Sequence, residues 1–285
     1  MPFVRAGISP KDFADAIGVS ESSVKRWVDQ GVLKAARTAG GHRRIAREEA
    51  LRFIREQHGQ VIRPEKLGLA PGTLNRAQPA QVAAEQLFIA LSEGHEVEAH
   101  RLIEGLFLGG QTVASIGDEV VRPAMQRIGA MWLDGPTGVF IEHRATAIAL
   151  RAFEDVQRVL RAKVADDRPS AVVAGPERDP YLLAPALAAL TLLECDWDAT
   201  NLGAFVPMPV LSIARMKLDA RVIALSITSE PTPELPAEVA ALLAEPDAPT
   251  VVIGGQSVTQ ATFTPHPRLF VGQSLAELAA ITRRI

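Results

Sequence analysis

SPKDFADAIGVSESSVKRWVDQGVLKAARTAGGHRR, residues 9–44, decides the reading of the first part of the chain. Ser9 followed by Pro10 reads as an N-cap with proline at the first helical position. Phe13, Ala14, Ala16 and Ile17 give that helix a short apolar face, and Gly18-Val19 breaks it. Ser20 is a second N-cap, opening a helix over roughly Glu21 to Gln30 that Gly31 closes. Val24, Trp27 and Val28 fall on its inner side at i, i+3 and i+4, leaving Ser22, Ser23, Lys25 and Arg26 outside. Two short helices joined by a tight turn, the second presenting small polar and basic side chains, make a helix-turn-helix. Val32 to Arg37 and His42 to Ile45 read as short strands around Thr38-Ala39-Gly40-Gly41, a wing tipped with His42, Arg43 and Arg44.

This pattern resembles the winged-helix domain of MerR-type transcription regulators, above all in WVDQGVL (27–33) and GGHRR (40–44). The resemblance covers about residues 7–57. It implies binding to double-stranded operator DNA, with Lys25, Arg26, Arg43 and Arg44 on phosphate, Ser22 and Ser23 nearest the base edges, and His42 beside them at the wing tip. It also implies a homodimer or tetramer, because such regulators read repeated half-sites. The plainer alternative is a small helical subdomain with a solvated basic face.

Composition agrees with a basic head on an acidic body. Residues 1–66 hold 13 Lys and Arg against 8 Asp and Glu, net +5, and the remainder holds 17 against 25, net −8, within an overall −3. Only the head is suited to phosphate. One cysteine, Cys195, excludes an internal disulfide and a Cys-rich zinc site. No apolar run approaches the ~18 residues that span a bilayer, and MPFVRAGISP lacks a signal-peptide core, so no membrane partner and a cytoplasmic location are expected.

Arg47 to about Gln57 reads as a third helix beneath the reader. Residues 59–79, with Pro64, Gly68, Pro71, Gly72 and Pro79, read as a linker that frees the head's orientation. From 80 to 165 the pattern is helical, with segments near 80–92, 96–108, 111–133 and 138–164, a four-helix bundle. Within it, Trp132 is followed after nine residues by Glu142-His143. This spacing resembles the bundle of the cobalamin-dependent, light-responsive MerR-type repressors. The resemblance implies a tryptophan packed over the upper face of adenosylcobalamin and a histidine able to ligate cobalt after photolysis. The alternative is an interhelical Trp plug with an exposed Glu-His pair.

Residues 166–285 alternate strand-like runs (171–175, 198–202, 222–226, 250–254, 268–272) with apolar helical segments near 181–194, 207–217, 234–244, 257–262 and 274–284. That is an α/β domain with a parallel sheet. It resembles the Rossmann-like cobalamin-binding domain, and the landmarks carried over are Ser226, Gly254 and Gly255. The fold class expected is therefore winged helix-turn-helix (1–58), linker (59–79), four-helix bundle (80–165) and Rossmann-like cobalamin-binding-type domain (166–285). The first loop departs from that family's Glu-x-His-x-x-Gly: here Glu177 is followed by Asp179 at the histidine position and Leu182 at the glycine position. Asp179 is a poor substitute for an axial imidazole, and Leu182 crowds the path of a nucleotide tail. The expectation is a tetrapyrrole without such a tail, a bilin or haem, held among Trp132, Glu142, His143, Asp179, Leu182, Ser226, Gly254 and Gly255, with cobalamin disfavoured.

No Walker loop, dinucleotide fingerprint or His-Glu-x-x-His occurs, and His95 and His100 are poorly spaced for one metal. No catalytic or metal residue is assigned and no enzyme activity is expected. The function expected is a DNA-binding regulator, a repressor sensing a tetrapyrrole or light. The alternatives are a ligand-independent regulator whose sensor survives as an oligomerisation scaffold, and a corrinoid carrier.

Overall fold

The computed structural model describes residues 7–57, 60–69, 78–163 and 167–285. The chain divides into two compact units, residues 1–111 with 151–164, and residues 112–150 with 165–285.

In the first unit, helix α1 (Pro10–Ile17) is capped by Ser9, whose side chain accepts the Asp12 N–H at 3.0 Å, and is stopped by Gly18 at φ 71°. Helix α2 (Glu21–Asp29) is capped in the same way by Ser20, which accepts the Ser23 N–H at 3.1 Å. Strands β1 (Ala36–Arg37) and β2 (Arg43–Arg44) pair antiparallel as the wing, and α3 (Arg47–Glu56) follows. Phe13, Val24, Leu33, Ile45 and Leu51 are fully buried between them. Phe53 meets Phe13 edge-on at 5.9 Å and Trp27 at 4.9 Å. The wing strands are shorter than the sequence suggests. The Lys34 N–H is drawn to the buried Glu49 carboxylate on α3 at 2.7 Å, so the chain joins the ladder only from Ala36.

The expected linker needs correction over residues 60–69; residues 59 and 70–77 lie outside the described residues. The N–H groups of Ile62 and Arg63 donate to the Ala16 carbonyl at 2.7 and 3.1 Å, and Lys66 pairs with Asp12 at 2.8 Å. Leu67 and Leu69 are buried. Two leucines with an apolar floor beneath them outweigh the Pro/Gly composition that reads as a tether. Helices α4 (Ala80–Glu93) and α5 (Glu96–Leu108) complete the unit. Arg47 of α3 pairs with Glu104 of α5 at 2.5 Å and donates to the Leu67 carbonyl at 3.1 Å. The Arg55 guanidinium lies 3.8 Å from the centre of the Phe107 ring. Burial pushes the Glu104 carboxyl above its ordinary range, and Arg47 opposes the shift.

The helices expected over 80–165 are formed but are shared between the units. Helix α4, α5 and the last turns of α8 (Pro136–Ala162) belong to the first. The second holds α6 (Val113–Ser115), a π-helical stretch (Ile116–Val121), α7 (Arg122–Ala130), a 3-10 turn (Met131–Asp134) and the start of α8. Compactness therefore follows the packing of each helix and not the sequence block.

The rest of the second unit is a five-stranded parallel sheet: β3 (Ser170–Ala174), β4 (Asp198–Asn201), β5 (Ala220–Ser226), β6 (Thr250–Gly254) and β7 (Leu269–Gly272), in the order β4-β3-β5-β6-β7. Helices α9 (Leu183–Glu194), α10 (Met208–Leu218), α11 (Leu235–Leu243) and α12 (Leu275–Thr282) make the crossovers and the final helix. The helix expected near 257–262 is only a 3-10 turn, Gln260–Thr262. Strand order reverses between β3 and β5, so the carboxyl ends of these strands form the crevice where open α/β sheets bind ligands.

Candidate functional site

A cavity of about 1100 Å³ opens at that crevice. Its helical side is lined by Asp118, Arg122, Met125, Trp132, Glu142, His143 and Thr146, and its sheet side by Pro180 to Ala184, Ser226, Thr228, Gly254 to Gln256 and Gln273. All of these belong to the second unit. Seven of the eight residues singled out from sequence, Trp132, Glu142, His143, Leu182, Ser226, Gly254 and Gly255, line this one space, and Asp179 is the exception.

The upper group is set by close packing at Gly138. A Cβ there would stand 1.7 Å from the Met131 carbonyl oxygen, so only glycine lets the Met131–Trp132 turn lie against the start of α8. The indole of Trp132 is half exposed beside the cavity. One turn further along α8, the Glu142 carboxylate accepts the Thr146 hydroxyl at 2.9 Å and lies 2.9 Å from His143 Nδ1. The ring is thus turned with Nδ1 toward that carboxylate and Nε2 away from it. His143 is the one imidazole among the cavity residues, and its side chain is 68 % exposed.

The lower loop is built differently. Asp179 is 2 % exposed and does not line the cavity. Its carboxylate accepts the N–H groups of Thr228 at 2.5 Å, Ser229 at 3.0 Å and Tyr181 at 3.1 Å. It is a pin between the loops after β3 and β5, and its place in the expected ligand set is corrected accordingly. Leu182 is at the mouth, 47 % exposed, and lines the same cavity as Ser226 and Gly254. Gly255 has a backbone reason of its own: φ is 132°, and a Cβ would meet the Ile227 carbonyl oxygen at 1.9 Å. Sequence reasoning missed Gly138, Asp118 and Arg122. Asp118 accepts the Leu275 and Ala276 N–H groups at the start of α12, at 3.0 and 2.9 Å, and pairs with Arg122 at 2.6 Å. The run Gly135-Pro136-Thr137-Gly138 was the only signal, and it reads equally as a turn.

A corrinoid, which the family pattern implies, fits this site in one respect and not in another. The space accepts a large flat ring with something trailing from it. Ligation by the residue at the axial-histidine position does not fit, because Asp179 is buried and spent on three backbone donors.

On the head, Ser22 and Ser23 lie beside the Ser20 cap, their hydroxyls 2.8 and 2.9 Å from its oxygen. Lys25 pairs with Glu21 at 2.8 Å. Arg43 reaches from the wing to Asp29 at 2.5 Å and to the Lys25 carbonyl at 3.2 Å, so it ties the wing to α2. Arg26, His42 and Arg44 are outward: Arg26 and His42 are exposed, and Arg44 donates weakly to the Gly7 carbonyl at 3.3 Å. Arg43 thus faces α2, whereas Arg44, its neighbour on the strand, reaches toward Gly7.

Comparison with known proteins agrees with this architecture. Residues 8–58 match the family described as a helix-turn-helix domain, and residues 83–156 match the family described as a B12 binding domain. The chain thus carries a helix-turn-helix domain, a helical region that matches the B12 binding domain family, and a five-stranded parallel sheet. No curated protein matches the chain. Among solved structures, the monomethylamine corrinoid protein of Methanosarcina barkeri is similar at TM-score 0.56 and 14 % identity, over 72 % of this chain and 99 % of that one. A methanol:cobalamin methyltransferase complex of the same organism gives TM-score 0.39 at 15 % identity, over 93 % and 92 % of the two chains. A cobalamin-binding protein of Desulfitobacterium hafniense gives 0.34 at 18 %, over 72 % and 98 %. The first of these likenesses is one of fold. Among the described residues no helix is long and apolar enough to cross a membrane.

Proposed function

We propose that the chain is a DNA-binding transcription regulator of the cytoplasm whose second unit holds a tetrapyrrole. The observation that carries this reading is a cavity of about 1100 Å³ with one imidazole, His143, on its helical side, while Asp179, which stands at the axial-histidine position of the opposite loop, is buried and held by backbone N–H groups. A ring with no need of a sheet-side ligand, a bilin or haem, suits that asymmetry. His143 Nε2 serves it as a hydrogen-bond partner or an iron ligand, and Trp132 covers its face. On the resemblance to light-responsive repressors the protein is read as a repressor. Occupancy or illumination of the cavity sets its hold on DNA, and the blocks 1–58, 80–165 and 166–285 are its functional divisions. A second reading has its own support: Leu182 lines the cavity together with Ser226 and Gly254, which suits a corrinoid whose tail enters the groove, bound for sensing or carriage without a protein ligand below.

Absorption titration of the full chain with haemin, biliverdin and hydroxocobalamin separates these. A Soret or bilin band shifted by the wild type and lost in His143→Ala is the expected result. A cobalamin spectrum perturbed at micromolar concentration, with the other two unmoved, favours the corrinoid. No change with any of the three leaves the regulator without a tetrapyrrole.

A further inference from the structure

Beside the imidazole of His143, the cavity wall carries one permanent cation. Arg122 stands where the π-helical stretch passes into α7, its side chain 45 % exposed, and no lysine or second arginine lines the cavity among the described residues. Its place is fixed by what precedes it. A Cβ at Gly117 would run into the Leu275 side chain, so glycine there lets the stretch lie against the start of α12. Asp118 accepts the Leu275 and Ala276 N–H groups and holds Arg122 through one guanidinium N–H at 2.6 Å. The rest of that guanidinium has no hydrogen-bond partner among the described residues. Both carboxylates of the wall are already engaged, Asp118 with these three donors and Glu142 with Thr146 and His143.

Val121 and Met125 flank Arg122 on the same wall, so a planar fork of N–H donors stands beside an apolar space. Its match is a carboxylate, which accepts two parallel charge-assisted bonds. An amide offers one neutral acceptor, and its own two donors find nothing to meet on a guanidinium. We propose that Arg122 takes a carboxylate of the bound ring and makes the cavity selective for a tetrapyrrole with free acid side chains, as in a bilin or haem, over one whose side chains end in amides. This rests on the reading of the cavity as a tetrapyrrole site and adds which chemistry at the ring's edge it selects. A side chain half in solvent suits the role, because such a ring is apolar and its acid groups lie along one edge.

The test is absorption titration of the full chain, wild type and Arg122→Gln, with biliverdin and with haemin, each as the free acid and as the dimethyl ester. Whichever ring binds, the wild type is expected to hold the acid about tenfold or more tighter than the ester. In Arg122→Gln that preference shrinks by about the same factor, with the ester bound as by the wild type. Equal affinity for the two forms in the wild type, or a preference that survives in the variant, overturns the proposal. Hydroxocobalamin, whose ring side chains are amides and whose one anion is the phosphate of its tail, separates a phosphate from a carboxylate at Arg122. Its behaviour must be the same in both chains, and a loss confined to the variant overturns the assignment to a carboxylate. If far-UV dichroism shows that Arg122→Gln does not fold, Arg122→Met takes its place and is read in the same way. A cavity that takes neither ring in either form refutes the tetrapyrrole reading itself, whereas one that takes acid and ester alike refutes the proposal alone.

Discussion

At the scale of single residues, Asp179 is the position whose chemistry most changes the account of the site. Three backbone N–H groups converge on a carboxylate hidden from solvent, and charge-assisted bonds of this kind are stronger than neutral ones. Asp179→Ala leaves those donors unpaired in a buried place and is expected to cost about 2–4 kcal/mol, read as a lower urea midpoint at unchanged slope. Asp179→His, which restores the residue type of the corrinoid-binding loop, is expected to lose the same pin. It gives no sheet-side ligation detectable in the hydroxocobalamin spectrum. A neutral Asp179→Ala would show that the loops after β3 and β5 hold themselves. The sequence shows that the usual imidazole is missing at this position. It does not show which way the replacement points, because direction depends on donors at Thr228 and Ser229, about fifty residues downstream.

At the scale of elements, the turn before α8 is the part on which the upper wall of the cavity depends. Gly138→Ala drives a methyl group into the Met131 carbonyl and must lift the 3-10 turn off the helix, carrying Trp132 with it. The expected outcome is a loss of ligand-induced absorbance of at least about tenfold in affinity, with a shifted tryptophan emission and far-UV dichroism close to wild type. Retained binding would place Trp132 outside the site's working parts. The caps of α1 and α2, the wing turn and the strands β3, β6 and β7 were legible because each rests on local chemistry: a serine before a helix, a Gly-Gly turn, an apolar run ending in glycine. The π-helical stretch, the docking of residues 60–69 on α1 and the fit at Gly138 were not. Each depends on a backbone group or apolar floor supplied from elsewhere in the chain.

At the scale of the whole molecule, the head determines how binding responds to salt. Arg26 and Arg44 are exposed, whereas Arg43 is engaged with Asp29 and the Lys25 carbonyl. Arg26→Ala and Arg44→Ala are each expected to flatten the plot of log affinity against log salt by about 0.9 per head, weakening all sequences alike. Arg43→Ala acts by freeing the wing from α2, so it lowers specific more than non-specific affinity. Gel-shift titrations at 50 to 200 mM salt measure both. An unchanged slope in the first two variants would remove them from the interface.

The path of the chain between the units also governs its synthesis and its use as a part. Residues 1–111 leave the first unit incomplete until 151–164 have been made, and the second unit, begun at 112, waits for the C-terminal half. A nascent chain emerging head first therefore finishes neither unit until well over half its length is out of the ribosome, and its early helices must wait for late partners. No single cut releases an intact sensor from an intact reader. A graft that joins this sensor to another DNA-binding head must carry residues 80–111 as well, or leave the last turns of α8 without the surface they pack on.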